Sequence, residues 1–460
     1  MKKMKFLKLS ITIILSITLL CCDKTKENSE SVKNVIILIP DGTSTALLTL
    51  ARWYNDNNPL TIDPYICGMI KTHCSDGKFP DSAPTSTAYS IGIKTISPYI
   101  GLDSSANPHV SVLELAKIKG LSTGIVVTCE FPHATPADFV CHLNNRDNKN
   151  NYKNLAKQFI DNSPTLVFAG GEKYLDINNY HKLLIHSNID LIKDTSSFNK
   201  LHTHPKNSKS IWALFPDWQG NTRSMSHHCD RDIANAPSLS EMTKKAIDIL
   251  QQNNKGFFLL VEGSQIDWAA HNNDPFAAVT DFLEFDNAVA IAIDFAKKNK
   301  NTVVIICPDH GTGGINLGNQ RSGTDFITEN KYKYDKLNIN DNLIEPLKKI
   351  KYSSRKIAQM ILNNSEYISK PFFDTLYNLK ATDNFLASIK EAAKTKNIDT
   401  IQYLIGTNFS MQNFIGWTST GHTAEDVFLA IYAPEHIQKI TGVVDNDSIG
   451  RYIAKILNDI

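Results

Sequence analysis

The chain has 460 residues, 42% of them hydrophobic and 21% charged, with 48 Lys and Arg against 47 Asp and Glu. This excludes wholesale disorder, collagen-like repeats and a multi-span membrane protein, and leaves room for one large α/β domain or two or three ordinary ones. A formal net charge of +1 also lacks the basic excess of a general nucleic-acid binder, so no nucleic-acid-binding function is expected.

The balance hides an asymmetry at the start of the chain. Lys2, Lys3, Lys5 and Lys8 precede an apolar run from Leu9 to Leu20, which ends at Cys21 and Cys22. That run is well short of the roughly 20 residues a spanning helix needs, and a basic stretch followed by a short apolar one reads as an export signal. The segment LLCCDK resembles a bacterial lipobox, with Cys22 rather than Cys21 as the lipidated residue. Residues 1–21 are therefore expected to be a lipoprotein-type signal peptide and 22–33 a polar tether, leaving residues 34–460 as the working domain. The expected location is the periplasm or cell envelope, with membrane contact through the lipid anchor alone. Losing residues 1–21 removes four lysines and no acids, which takes the net charge from +1 to −3. Of the remaining cysteines, 67, 74, 129, 141, 229 and 307 form no CxxC pair, which gives no support to a zinc ribbon. An exported chain can form up to three disulfides from these six, with connectivity that spacing does not fix.

After the tether, Val35–Ile39 is a continuous β-rich run of the kind found in strands buried on both faces. Pro40-Asp41-Gly42 ends it, and Ser44 stands where it can cap a helix through Tyr54. Similar runs recur at 124–128, 165–169, 257–261, 302–307 and 427–432, separated by helical patterns that include 110–119, 240–252 and 277–298. Strands alternating with helices predict an α/β fold with a central, largely parallel sheet. In such sheets ligands sit beyond the carboxyl ends of the strands, and acids stand there: Asp41, Glu262 and Asp309-His310. Residues from about 320 to 413 are rich in lysine and asparagine and helical in pattern, and read as an insertion on the main domain.

Asp267 and His271 are four apart, which on a helix puts both side chains on one face, a common metal-ligand spacing. Asp309-His310 and Gly421-His422-Thr423 add two more imidazoles. Mixed Asp and His sets suit Zn²⁺, whereas oxygen-only sets suit Mg²⁺ or Ca²⁺. In Pro80-Asp81-Ser82-Ala83-Pro84, small residues and an early proline suit a first helical turn, where free N–H groups favour an anion. A serine there can attack phosphorus if a metal stabilises its alkoxide; the plainer role is capping by Asp81 or Ser82. Arginine is scarce, 7 of the 48 cations, and its planar fork fits two phosphate oxygens, which marks Arg146 in the segment beginning His133-Ala134-Thr135.

Together these segments resemble the alkaline phosphatase family. The family pattern is a strand-end Asp, D-S-A, T-P with Arg eleven residues after the Thr, E-G-x-x-I-D-x-x-x-H, D-H and a late G-H-T, and all six stand here in order between Asp41 and His422. The resemblance implies a three-layer α/β sandwich with a helical insertion. It also implies a metal-dependent phosphomonoester hydrolase that works through a phosphoserine at Ser82. Carried over by motif, Asp267, His271 and His422 would hold one Zn²⁺ and Asp41, Asp309 and His310 a second. Asp41, Thr135 and Glu262 would hold a third ion, Mg²⁺ in most of the family. Arg146 would clamp the phosphate, steadied by Asp81, and the family is commonly dimeric. The sequence departs from the enterobacterial branch at His133, where that branch has Asp, and at Trp268, where it has Lys. Both positions belong to the surroundings of the third ion, so Co²⁺ and Zn²⁺ are alternatives there, and the missing cation at Trp268 is expected to loosen product phosphate. The rival readings are a phosphodiesterase or sulfatase of the same superfamily and a phosphate-capture lipoprotein without turnover. A sulfatase would need a C/S-x-P-x-R setting, which Ser82-Ala83-Pro84-Thr85-Ser86 lacks.

Overall fold

A computed structural model describes residues 31–146, 151–175, 184–202, 210–318, 344–377 and 380–460. The expected signal, Cys22, nearly all of the tether and the first part of the 320–413 insertion lie outside these residues. Val32 is already buried and Lys33 donates its amide to Asn301 O, so the packed chain begins two residues before position 34.

The strands in chain order are β1 Asn34–Ile39, β2 Ile66–Lys71, β3 Ser122–Glu130, β4 Leu166–Gly170, β5 Ile189–Ile192, β6 Ser210–Leu214, β7 Phe257–Glu262 and β8 Thr302–Ile306. They continue with β9 Gly311–Thr312, β10 Asn316–Leu317, β11 Ile415–Gly416, β12 His422–Thr423, β13 Val427–Tyr432 and β14 Gly442–Asp445. Ten form one sheet in the order β14-β2-β13-β8-β1-β7-β3-β4-β6-β5. Among these strands only β13 runs antiparallel to its neighbours, β2 and β8. The largely parallel sheet expected from the alternation is therefore present. The two outermost strands on each side, β14 and β2 at one end and β6 and β5 at the other, were not legible from their sequences.

Parallel strands covered on both faces need apolar side chains on both. β1 supplies them: Ile36 and Leu38 enter one core with helices 239–250 and 275–299, while Val35, Ile37 and Ile39 enter the other with helices 112–118 and 447–459. These two cores on either side of the sheet make the three layers. The six described cysteines are all free thiols, so none of the disulfides open to an exported chain forms among the described residues.

The helices of residues 345–412 extend the first core through Ile357, Ile361, Phe373, Ile389, Ile401, Ile405 and Phe409. Their two ends meet, because β10 pairs antiparallel with β11 (Leu317 opposite Ile415). Helix 398–412 lies close behind the loop after His271: a Cβ on Gly406 would meet Asn272 O at 2.5 Å, and Ser410 Oγ donates to Asn273 O at 2.9 Å. No described helix is long and apolar enough to cross a membrane.

Candidate metal centre and nucleophile

The sheet's register brings the acids together. Ile39 pairs with Glu262 and Leu38 with Ile306, so the ends of β1, β7 and β8 are level and Asp41, Glu262 and Asp309 leave the same edge. All three are fully buried. Gly42 makes the turn after Asp41 with φ +70° and donates its amide to Asp309 Oδ1 at 3.1 Å. A side chain there would run into Asp267, whose Oδ1 lies 2.6 Å from the place of its Cβ. Asp309 Oδ1 also accepts from the His310 amide at 3.0 Å, which leaves Oδ2 facing the centre.

Three imidazoles converge on this edge, and each has its Nδ1 proton claimed elsewhere. His271 Nδ1 lies 2.5 Å from Thr420 O, and His422 Nδ1 lies 3.1 Å from Pro80 O. A carbonyl only accepts, so both rings donate from Nδ1. Thr312 donates its hydroxyl to Asp267 Oδ1 (2.5 Å) and so accepts from His310 Nδ1 at 3.2 Å. The three Nε2 atoms then face inward: His271 and His422 are 3.2 Å apart, and His310 Nε2 is 3.3 Å from Asp309 Oδ2 and 3.7 Å from Asp41 Oδ1. An imidazole anchored through Nδ1 and presenting Nε2 is how proteins hold a metal-ligating histidine. Asp267 and His271 share helix 265–271, with Oδ2 and Nε2 3.2 Å apart. Ligand atoms of Asp41, Asp309 and His310 lie within 4.8 Å of one another, as do those of Asp267, His310 and His422.

The electrostatics of these groups call for cations. Burial first, and then Asp309, Asp267 and Glu262, hold the Asp41 carboxyl well above its usual range. Burial and Asp309 push Glu262 up to about 8. Burial would also raise Asp267, but His271 beside it outweighs that and holds it low. Burial would lower His271, and Asp267 in turn lifts it to about 9, so a proton and a metal compete for its Nε2. His422 is pushed down to about 4 by burial and by His310. Both oxygens of Asp41, Oε1 of Glu262, Oγ1 of Thr135 and Nδ1 of His133 are buried without a hydrogen-bond partner. Buried polar atoms left in this state cost free energy unless something else satisfies them, and the donor set fits divalent cations.

Ser82 opens helix 82–91, and Asp81 is its N-cap, accepting from the Ser82 amide at 2.9 Å. Capping therefore falls to Asp81 and leaves the serine hydroxyl free to point at the centre, where Ser82 Oγ lies 3.1 Å from His310 Nε2. Arg146 Nη2 donates to Asp81 Oδ1 at 2.6 Å, and Ser97 donates to Oδ2 at 2.7 Å. Burial opposes ionisation of Asp81, and the Arg146 guanidinium outweighs it to keep the carboxyl below its ordinary value. Ser44 occupies the N-cap position of helix 45–54, but its hydroxyl makes no capping bond.

Beside Glu262 lie Thr135, on helix 134–138, and His133, whose ring meets Trp268 edge-on with centroids 5.9 Å apart. Trp268 and His271 border an open cavity of about 740 Å³ that also touches Trp218, Arg223 and Arg355. Cys22 lies outside the described residues. Sequence reasoning missed Thr312, which orients both Asp267 and His310, and Cys129, whose Sγ is 3.6 Å from Glu262 Oε2. Thr312 had one signal, its place two residues after His310. The backbone acceptors Pro80 O and Thr420 O had none.

The profile of the family described as alkaline phosphatase matches residues 32–458. Alkaline phosphatase 3 of Bacillus subtilis (strain 168) is 33% identical over 453 residues, covering 95% of this chain and 91% of that protein. The crystal structure of a cold-active alkaline phosphatase from a psychrophilic Shewanella superimposes with a TM-score of 0.79 at 26% identity, covering 92% of this chain and 99% of the other. A His-to-Asp variant of TAB5 alkaline phosphatase, solved with Mg bound in its M3 site, shares the fold at TM-score 0.65 and 23% identity, covering 93% of this chain and 98% of the other.

Proposed function

This chain belongs to the alkaline phosphatase family and is a metal-dependent phosphomonoester hydrolase, and on that premise we propose how its residues divide the work. Ser82 is the nucleophile, forming a phosphoserine that water then hydrolyses to release inorganic phosphate. The observation that carries this reading is the inward meeting of three imidazole Nε2 atoms among buried carboxylates, with Ser82 Oγ 3.1 Å from one of them. Asp267, His271 and His422 hold one Zn²⁺, and Asp41, Asp309 and His310 a second. Asp41, Thr135 and Glu262 hold a third ion, Mg²⁺ or in its place Co²⁺ or Zn²⁺. When bound, such ions neutralise phosphoryl oxygens, favour the serine alkoxide and supply water of lowered pKa.

The protein's own groups do the rest. Asp81 caps the helix through Oδ1 and so fixes the backbone from which Ser82 projects. Through the same oxygen it holds the Arg146 fork in place to pair with two oxygens of a monoester dianion. The free N–H groups of the first turn of helix 82–91 add partial positive charge where the phosphoryl group must sit. The cavity beside Trp268 and His271 gives the ester's organic part an open approach.

The substrates are small phosphomonoesters. We propose that the protein is exported and tethered to the cell envelope through a lipid on Cys22. The working domain of residues 34–460 then carries one insertion at about 320–413, and homodimerisation is the family's usual assembly. Rates on matched mono- and diesters test the reaction class; faster diester turnover would overturn it. Membrane fractionation of wild type and Cys22→Ala tests the anchor, which requires the variant to leave the membrane fraction.

A further inference from the structure

Cys129 is the penultimate residue of β3 and has no assigned task. Its side chain is fully buried, and its amide is fixed by the hydroxyl of Ser264, two residues beyond Glu262. One ligand atom each from Cys129, His133 and Glu262 lie within 4.8 Å of one another. The second oxygen of Glu262 and Nδ1 of His133 have no hydrogen-bond partner, and both atoms are buried. A tetrahedral ion with a metal–sulfur bond of about 2.3 Å and a metal–oxygen bond of about 2.0–2.2 Å separates the two ligand atoms by about 3.6 Å. Cys129 Sγ lies 3.6 Å from Glu262 Oε2.

We propose that the third ion of this centre is bound through the thiolate of Cys129 and the imidazole of His133 together with Glu262, and that it is a thiophilic ion, Zn²⁺ or Co²⁺, in preference to Mg²⁺. The proposal rests on the assignment of a third ion beside Asp41, Thr135 and Glu262. It goes beyond that assignment by bringing Cys129 and His133 into the ligand set beside Glu262 and by choosing Zn²⁺ or Co²⁺ over Mg²⁺. Mg²⁺ seeks octahedral oxygen ligation and gives up water reluctantly, while thiolate and imidazole together favour Zn²⁺ and Co²⁺. Binding is an exchange without redox chemistry: the metal–sulfur bond forms as the S–H bond breaks, and the thiol proton leaves to solvent.

The test uses the purified holoenzyme loaded with Zn²⁺ or with Co²⁺, measuring ions per chain together with X-ray absorption at the metal edge. Expected are three ions per chain and, averaged over them, one sulfur neighbour at about 2.3 Å per three ions. The Co²⁺ form should also show a thiolate-to-cobalt charge-transfer band in the near ultraviolet, absent from Cys129→Ser. That variant should lose preference for Zn²⁺ over Mg²⁺ at one site by roughly 10–100-fold. Three ions with no sulfur neighbour would overturn the proposal and leave the third site standing. Only two ions per chain would overturn both. The absorption experiment needs no variant, so a Cys129→Ser chain that fails to fold does not protect the proposal.

Discussion

A metal-ligating imidazole almost always has its other nitrogen occupied, and for His271, His422 and His310 that second partner is an oxygen of the protein. Thr420 O, Pro80 O and Thr312 Oγ1 each hold one ring by Nδ1. Asp81 plays the parallel part for the substrate side, because one carboxylate oxygen serves both the Ser82 amide and the Arg146 fork. Ser82→Ala should therefore abolish turnover by roughly 10³-fold or more while leaving metal content unchanged, as read by steady-state kinetics beside metal analysis. Unchanged turnover would mean the serine only fills a helix turn. Arg146→Ala should cost about 10²–10³ in kcat/KM if, as proposed, it supplies a preorganised donor to the transferring phosphoryl group.

Among the elements, helix 398–412 works at a distance from the chemistry. Its Gly406 lets the helix approach the loop that follows His271. Alanine improves helix propensity by about 1 kcal/mol at an ordinary site, but here its methyl would meet a backbone carbonyl that cannot swing aside. The clash is the larger effect, so Gly406→Ala should lower Tm and weaken metal retention, measured by thermal melts with and without a mild chelator. A second element contact is sensitive to pH. His142 donates from Nδ1 to Gly101 O and places Nε2 3.4 Å from Glu114 on helix 112–118. The bond to Glu114 raises the pKa of His142 above its ordinary 6.5. Burial would raise Glu114, but the His142 bond and the Ser111 amide hold it low. A raised histidine gives its full contribution below its unfolded value and loses it as pH climbs through the folded one. The Tm difference between wild type and His142→Gln should thus be larger near about pH 6 than near about pH 9. A difference that grows with pH would refute the pairing.

For the molecule as a whole, the centre is a concentration of buried carboxyl groups. Asp41, Glu262 and Asp309 are fully buried and Asp267 nearly so, in a domain whose net charge is close to balanced. Ions that bind the folded state and not the unfolded one stabilise it by mass action. Thorough chelation should abolish turnover and also lower Tm, with both restored on adding metal back. Activity surviving complete metal removal would contradict the ligand assignments.

Much of this was legible from the chain. Apolar runs such as Val35–Ile39 and Phe257–Val261 name buried parallel strands because a strand covered on both faces leaves polar side chains no place. The spacing of Asp267 and His271 names a helical face, and six motifs in order from Asp41 to His422 carry the family. These are local patterns, readable without knowing what lies across the sheet. The outer strands β14, β2, β6 and β5 escaped because their pairing comes from neighbours rather than from their own composition. Tertiary structure alone decided which atoms meet. Register between β1 and two strands more than 200 residues away brings three acids level, and two backbone carbonyls choose the nitrogens that face the metals. Cys129 stands against Glu262 because β3 and β7 lie side by side, a relation between distant residues that no local pattern records.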